Sequence, residues 1–116
     1  MKELTTLSGS PFRYKTHPDG ELVVYPPDGN GDLQDKSAIV ITPFTVELVK
    51  QAIRGAASVR MGASRDAPPP GSLGALIKQH KQSPQQLSYL IPILVAEGVC
   101  CVERDGNALV VKRTEV

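Results

Sequence analysis

The chain has 116 residues, 41% of them hydrophobic, and a formal net charge of +1, which is enough for one compact core and little more. No apolar run approaches the roughly 20 residues that a membrane-spanning helix needs, and Met1-Lys2-Glu3-Leu4-Thr5 lacks the apolar block of a signal peptide. A soluble cytoplasmic protein with no membrane partner is therefore expected, and its near-neutral charge does not by itself announce a nucleic-acid binder.

In chain order, Phe12–Thr16 and Glu21–Tyr25 flank His17-Pro18-Asp19-Gly20. Proline presets φ there and Asp-Gly tolerates the turn that follows, so the segment reads as a β-hairpin. Pro26 to Asp35 is rich in proline, glycine and aspartate and reads as a solvated loop. Ala38–Ile41 is a short buried strand that joins the hairpin in a three-stranded meander. Thr42-Pro43 is an N-cap followed by a first-turn proline. The helix it opens places Phe44, Leu48, Val49, Ala52, Ile53 and Ala56 on one face and fades between Gly55 and Ser58. Val59–Gly62 is a short strand. Ala63-Ser64-Arg65-Asp66 and Pro68-Pro69-Pro70 then form a connection, where Arg65 and Asp66 can pair locally.

Ser72 caps a second helix whose apolar residues Leu73, Leu76 and Ile77, with His80, recur at helical spacing. Ser83-Pro84-Gln85-Gln86 has the form of a capping box and opens a third helix from Pro84 to Glu97. Leu87, Leu90, Ile91, Leu94 and Val95 form its core stripe, and Gly98 ends it. Val99–Glu103 and Ala108–Lys112 are strands joined by Arg104-Asp105-Gly106-Asn107, a hairpin signal. Cys100 and Cys101 are adjacent in a strand and point to opposite faces. They are expected to be free structural thiols in a reducing compartment. The predicted fold is thus α+β, an N-terminal antiparallel β-meander (1–41) followed by three helices and a hairpin (42–116), in one compact unit.

From about residue 42 to residue 113 this order resembles the winged helix-turn-helix superfamily of DNA-binding proteins. The residues that carry the resemblance are Ser72-Leu73-x-x-Leu76-Ile77-Lys78, Ser83-Pro84-x-x-Leu87-Ser88-Tyr89-Leu90-x-x-x-Leu94 and Glu97-Gly98, with the hairpin as the wing. The resemblance implies that the third helix enters the major groove of double-stranded DNA and reads bases with Gln85, Gln86, Ser88 and Tyr89. A glutamine amide can pair N6 and N7 of adenine. Arg104 and Asn107 of the wing would reach the backbone or minor groove, and Lys78, Lys81, Lys112 and Arg113 would contact phosphates. The alternative for all of these side chains is an ordinary solvated surface. Charge distribution leans slightly toward the first reading: residues 1–42 hold four basic and six acidic side chains, residues 43–116 nine and six.

The third helix itself carries no lysine or arginine, and its outward face runs through Tyr89, Pro92, Ile93 and Ala96. An exposed apolar stripe more often marks a protein contact than a DNA contact. Two function classes therefore follow. The leading one is a small transcriptional regulator, acting as a homodimer on double-stranded DNA. The other is a protein–protein assembly module whose partner or second copy covers Tyr89, Pro92 and Ile93. An enzyme is not expected. His17 and His80 lie in different elements with no partner at metal-ligand spacing, and neither glycine-rich stretch matches a P-loop or dinucleotide fingerprint. No cofactor or metal is implied.

Overall fold

A computed structural model of the chain describes residues 2–6, 9, 11–25, 38–55, 58–62, 71–105 and 108–114. Four strands, β1 (Lys2–Thr5), β2 (Pro11–Thr16), β3 (Leu22–Tyr25) and β4 (Ile39–Ile41), form an antiparallel meander in the order β1-β2-β3-β4. It is followed by α1 (Pro43–Arg54), β5 (Val59–Arg60), α2 (Leu73–Gln79), a 3-10 turn (Pro84–Gln86), α3 (Leu87–Ala96), β6 (Cys100–Asp105) and β7 (Ala108–Arg113). The C-terminal sheet has the order β5-β7-β6. The α+β architecture, the meander, the three helices and the C-terminal hairpin are those expected from the sequence. Pro26–Asp35, Ala56, Ala63–Asp66, the proline run and Asn107, for which the sequence gives expectations, lie outside the described residues.

The meander gains a strand that the sequence did not signal. Lys2-Glu3-Leu4-Thr5 has one apolar side chain, yet it pairs along β2 with Leu4 opposite Phe12 and Glu3 opposite Arg13. Period-two alternation then sorts the sheet. Leu4, Phe12, Tyr14, Leu22, Val24, Ile39 and Ile41 belong to the hydrophobic cluster or pack against it, together with residues of all three helices and of the C-terminal sheet. One core therefore runs through both halves of the chain.

Capping explains where the helices start and stop. Thr42 Oγ1 accepts from the Thr45 N–H at 3.2 Å and Ser72 Oγ from the Ala75 N–H at 3.1 Å, each satisfying a donor that a helix start leaves open. Gly98, at φ 79°, ends α3 as expected, with the Val99 N–H on the Leu94 carbonyl at 2.9 Å. Gly62, at φ 63°, has a different duty: a Cβ there would fall on the Ser72 side chain. Glycine is needed for β5 to leave so close to the start of α2.

The start of the third helix differs from the expected capping box. Residues 84–86 are a 3-10 turn, closed by the Gln86 N–H on the Ser83 carbonyl at 3.1 Å. Ser83 Oγ accepts from the Gln85 N–H at 3.4 Å, and the Gln86 amide turns to Gln82 instead of back to Ser83.

The larger correction concerns the outward face of α3. Ile93 is 0% exposed, Pro92 is buried and Tyr89 is half-buried. The expected exposed contact surface of Tyr89, Pro92 and Ile93 is occupied by the chain itself. Phe12 of β2 meets the Tyr89 ring edge-on, 5.3 Å between centroids and 80° between planes. Leu87, Leu90, Ile91 and Leu94 are equally inaccessible, whereas Val95, expected in the same stripe, is 39% exposed; α3 is apolar nearly all round. Such a helix must be covered on both sides. The helix continues through Pro92 over its full ten residues, although proline has no N–H to offer the Ser88 carbonyl.

If the meander covers α3, Ile93→Ala should destabilise the protein by about 2–5 kcal/mol, as much as Leu90→Ala. Denaturant unfolding measures both. An Ile93→Ala protein as stable as the wild type would show that this face is not packed.

Candidate nucleic-acid interface

The turn between α2 and the 3-10 segment is closed by a paired C-terminal motif. The Gln82 N–H reaches the Ile77 carbonyl and the Lys81 N–H the Lys78 carbonyl, both at 3.0 Å. The residue that must turn left-handed is Lys81, at φ 62°. A lysine there bears a steric cost that glycine would not. The motif holds the end of α2 against the start of the third helix. A side-chain bond, Gln86 Nε2 to Gln82 Oε1 at 3.3 Å, ties the same two segments.

Six of the expected contact residues are gathered here. Lys78 and Lys81 are exposed at the end of α2; Gln85 is exposed in the 3-10 turn, while Gln86, Ser88 and Tyr89 are partly covered. A cleft of about 400 Å³ opens at this place, lined by Ile39, Ser83, Gln85, Gln86, Ser88 and Tyr89. Gln86 Oε1 is buried and has no hydrogen-bond partner. Ser83 and Gln82 were not singled out as functional from the sequence, although the i, i+4 spacing of Gln82 and Gln86 is a usable signal. Ile39, far away in the chain, left none.

The residues of the C-terminal hairpin are differently engaged. Arg104 is exposed on β6, opposite Leu109 of β7. Lys112 Nζ lies 2.7 Å from Glu103 Oε2 across the hairpin. Arg113 Nη1 donates to the Arg54 carbonyl at the end of α1, at 3.2 Å. Lys112 and Arg113 are consecutive on β7, so their side chains leave opposite faces of the sheet. They do not line one phosphate track.

The cysteines divide as expected. Cys100 is buried and Cys101 exposed, and burial, with the neighbouring Cys101 thiol, pushes the Cys100 thiol up to about 11. That is opposite to the low value a reactive thiolate requires. Tyr14 is raised as well, by burial first and then by the Glu97 carboxylate at the end of α3. Among the described residues no three His, Cys, Asp or Glu side chains are grouped so as to hold a metal ion, and no helix is long and apolar enough to cross a membrane.

Comparison of the chain with protein-family models, with curated proteins and with solved structures yields no match. The case for a function rests on the geometry of this surface.

Because Lys81 sits in the left-handed region, Lys81→Gly should stabilise the fold by about 1 kcal/mol while removing a cation from the surface. Thermal melts check the first effect. A fall in melting temperature would mean that the lysine side chain holds the turn.

Proposed function

We propose that this chain is a small, non-enzymatic DNA-binding protein of transcription-regulator type, which meets a duplex with the first turn of its third helix. The observation that carries the reading is what the meander leaves uncovered. Pro92 and Ile93 are buried and Tyr89 meets Phe12 of β2, so the accessible polar groups lie at the start of the helix, while Val95 and Ala96 are exposed at its far end. There Gln85 and Ser88 offer the hydrogen-bonding groups that read base edges, and Gln86 and Tyr89 stand behind them in the cleft. Lys78 and Lys81, on the segment held against this turn, supply positive charge for the adjoining phosphates.

The burial also sets the docking geometry. Past Tyr89 the exposed side chains of α3 are Val95 and Ala96, which offer no hydrogen-bonding group to a base edge. The duplex would therefore meet the end of the helix, with base contact limited to Gln85, Gln86, Ser88 and Tyr89. Arg104 on β6 is the remaining wing cation available for a backbone contact, since Lys112 and Arg113 are bonded to Glu103 and to the Arg54 carbonyl. Assembly through Tyr89, Pro92 and Ile93 is disfavoured by the same burial, because a partner would first have to displace the meander from a shared core.

Fluorescence polarisation of a labelled duplex tests the proposal. Log affinity should fall linearly with log salt at about −0.9 per phosphate contact. Lys78→Ala with Lys81→Gly should flatten that slope by about two contacts' worth. Gln85→Ala should leave the slope unchanged and cost about 1–3 kcal/mol on a preferred sequence. Binding indifferent to salt and to both variants would overturn the reading.

A further inference from the structure

The chain has two phenylalanines, three tyrosines and no tryptophan, and the fold covers all of these rings but one. Phe12, Tyr14 and Tyr25 are buried, and Tyr89 is half-buried against Phe12. Phe44, which its spacing assigns to the core face of α1, is instead 58% exposed. A single exposed apolar side chain is ordinary by itself; the setting of this one is not. Phe44 is the second residue of α1, and the turn that carries it is fixed. Thr42 Oγ1 accepts from the Thr45 N–H at 3.2 Å and lies 3.0 Å from the Thr45 hydroxyl, and Thr45 is fully buried. The ring itself is held by His80 at the end of α2, 5.4 Å between centroids and 64° between planes. A tilted contact of that kind uses at most one face of the phenyl ring, so a second flat partner can lie on the other.

His80 also joins this ring to the cationic surface at the end of α2. It is exposed, directly before Lys81 and two residues after Lys78, which are exposed as well. An aromatic face beside cations is the combination that holds single-stranded nucleic acid: the cations follow the phosphates and a base stacks on the ring. An apolar protein partner fits less well. Covering Phe44 would also strip water from His80 and from the lysine next to it, and burying an unpaired charge is costly.

We propose that Phe44 is a stacking platform for one unpaired base, which extends from the duplex held at Lys78 and Lys81. The inference rests on the DNA-binding reading above and narrows it: the preferred ligand is a duplex with a single-stranded extension. The platform selects no particular base, because every base offers a π face. Its role is to recognise that a base is free of its partner, since a paired base is already stacked within the duplex.

Labelled probes of three kinds test this: a blunt duplex, the same duplex with a short thymidine overhang, and the same with an abasic overhang of equal length. The two overhangs carry the same phosphates, and each is made in 3′ and 5′ polarity. In one polarity the wild type should bind the thymidine overhang about tenfold more tightly than the abasic one, the size expected of one base–aromatic stack. Phe44→Leu, which keeps an apolar side chain without a ring face, should remove that preference while leaving blunt-duplex affinity and its salt slope unchanged. Phe44→Trp should keep or enlarge it. Both variants should melt close to the wild type, because the side chain they change lies mostly in water.

Equal binding of base-bearing and abasic overhangs by the wild type in both polarities, with salt-dependent duplex binding intact, overturns the platform and leaves the DNA-binding reading standing. So does a preference that survives in a folded Phe44→Leu protein. A glutamate-rich peptide with one tryptophan that displaces the overhang probe as well as an unlabelled copy of it does would make a protein segment the occupant and overturn the proposal. Failure of every probe to bind overturns both readings together.

Discussion

The packing of β2 against α3 is the constraint on which the rest of the molecule depends. Apart from Ser88, α3 presents apolar side chains in nearly every direction, and the core that buries it draws on both halves of the chain. Leu87, Leu90, Ile91, Ile93 and Leu94 are buried in one cluster with side chains of α1, α2 and the C-terminal sheet. Phe12, Tyr14 and Val24 of the meander belong to the same cluster, and Phe12 meets Tyr89 edge-on. Removing the meander would strip Phe12, Tyr14 and Val24, all now buried, from that cluster. Fully burying one such side chain stabilises by about 1.5–3 kcal/mol. The meander is therefore part of the core.

This arrangement explains which parts of the fold were legible in the sequence. Every element with its own local chemistry was found: the His17–Gly20 turn, the Thr42-Pro43 and Ser72 caps, the Gly98 stop and the C-terminal hairpin. β1 was missed because three of its four residues are polar or charged and its place is fixed by pairing with β2. The same limit applied to α3. Its all-round apolarity was visible, and it implied cover on both sides, but nothing local says what supplies the second cover. Phe12 lies 77 positions away from Tyr89 in a strand whose alternation looks the same whatever it packs on.

The candidate site divides along the same line. Lys78, Lys81, Gln85, Gln86, Ser88 and Tyr89 are close in sequence, and the helical turn that unites them is local, so their grouping could be read from spacing. Lys112 and Arg113 were legible as cations but not as partners of Glu103 and of the Arg54 carbonyl, since both contacts depend on tertiary placement. Ile39 and the orphaned Gln86 acceptor belong to the same class. A cleft formed where a strand edge meets a helix start has no sequence signature at all.

The account as a whole claims that a duplex meets this protein at the end of the third helix, while the meander stays closed over the rest. Backbone amide NMR of isotopically labelled protein, titrated with a DNA duplex, tests that claim most directly. The account predicts shift changes concentrated between Lys78 and Tyr89, with β1, β2 and the stretch from Ile93 to Ala96 unmoved. Changes spread along Ile93 to Ala96 and across β1 and β2 would mean that the meander is displaced and the long side of the helix is the binding surface, which would contradict it.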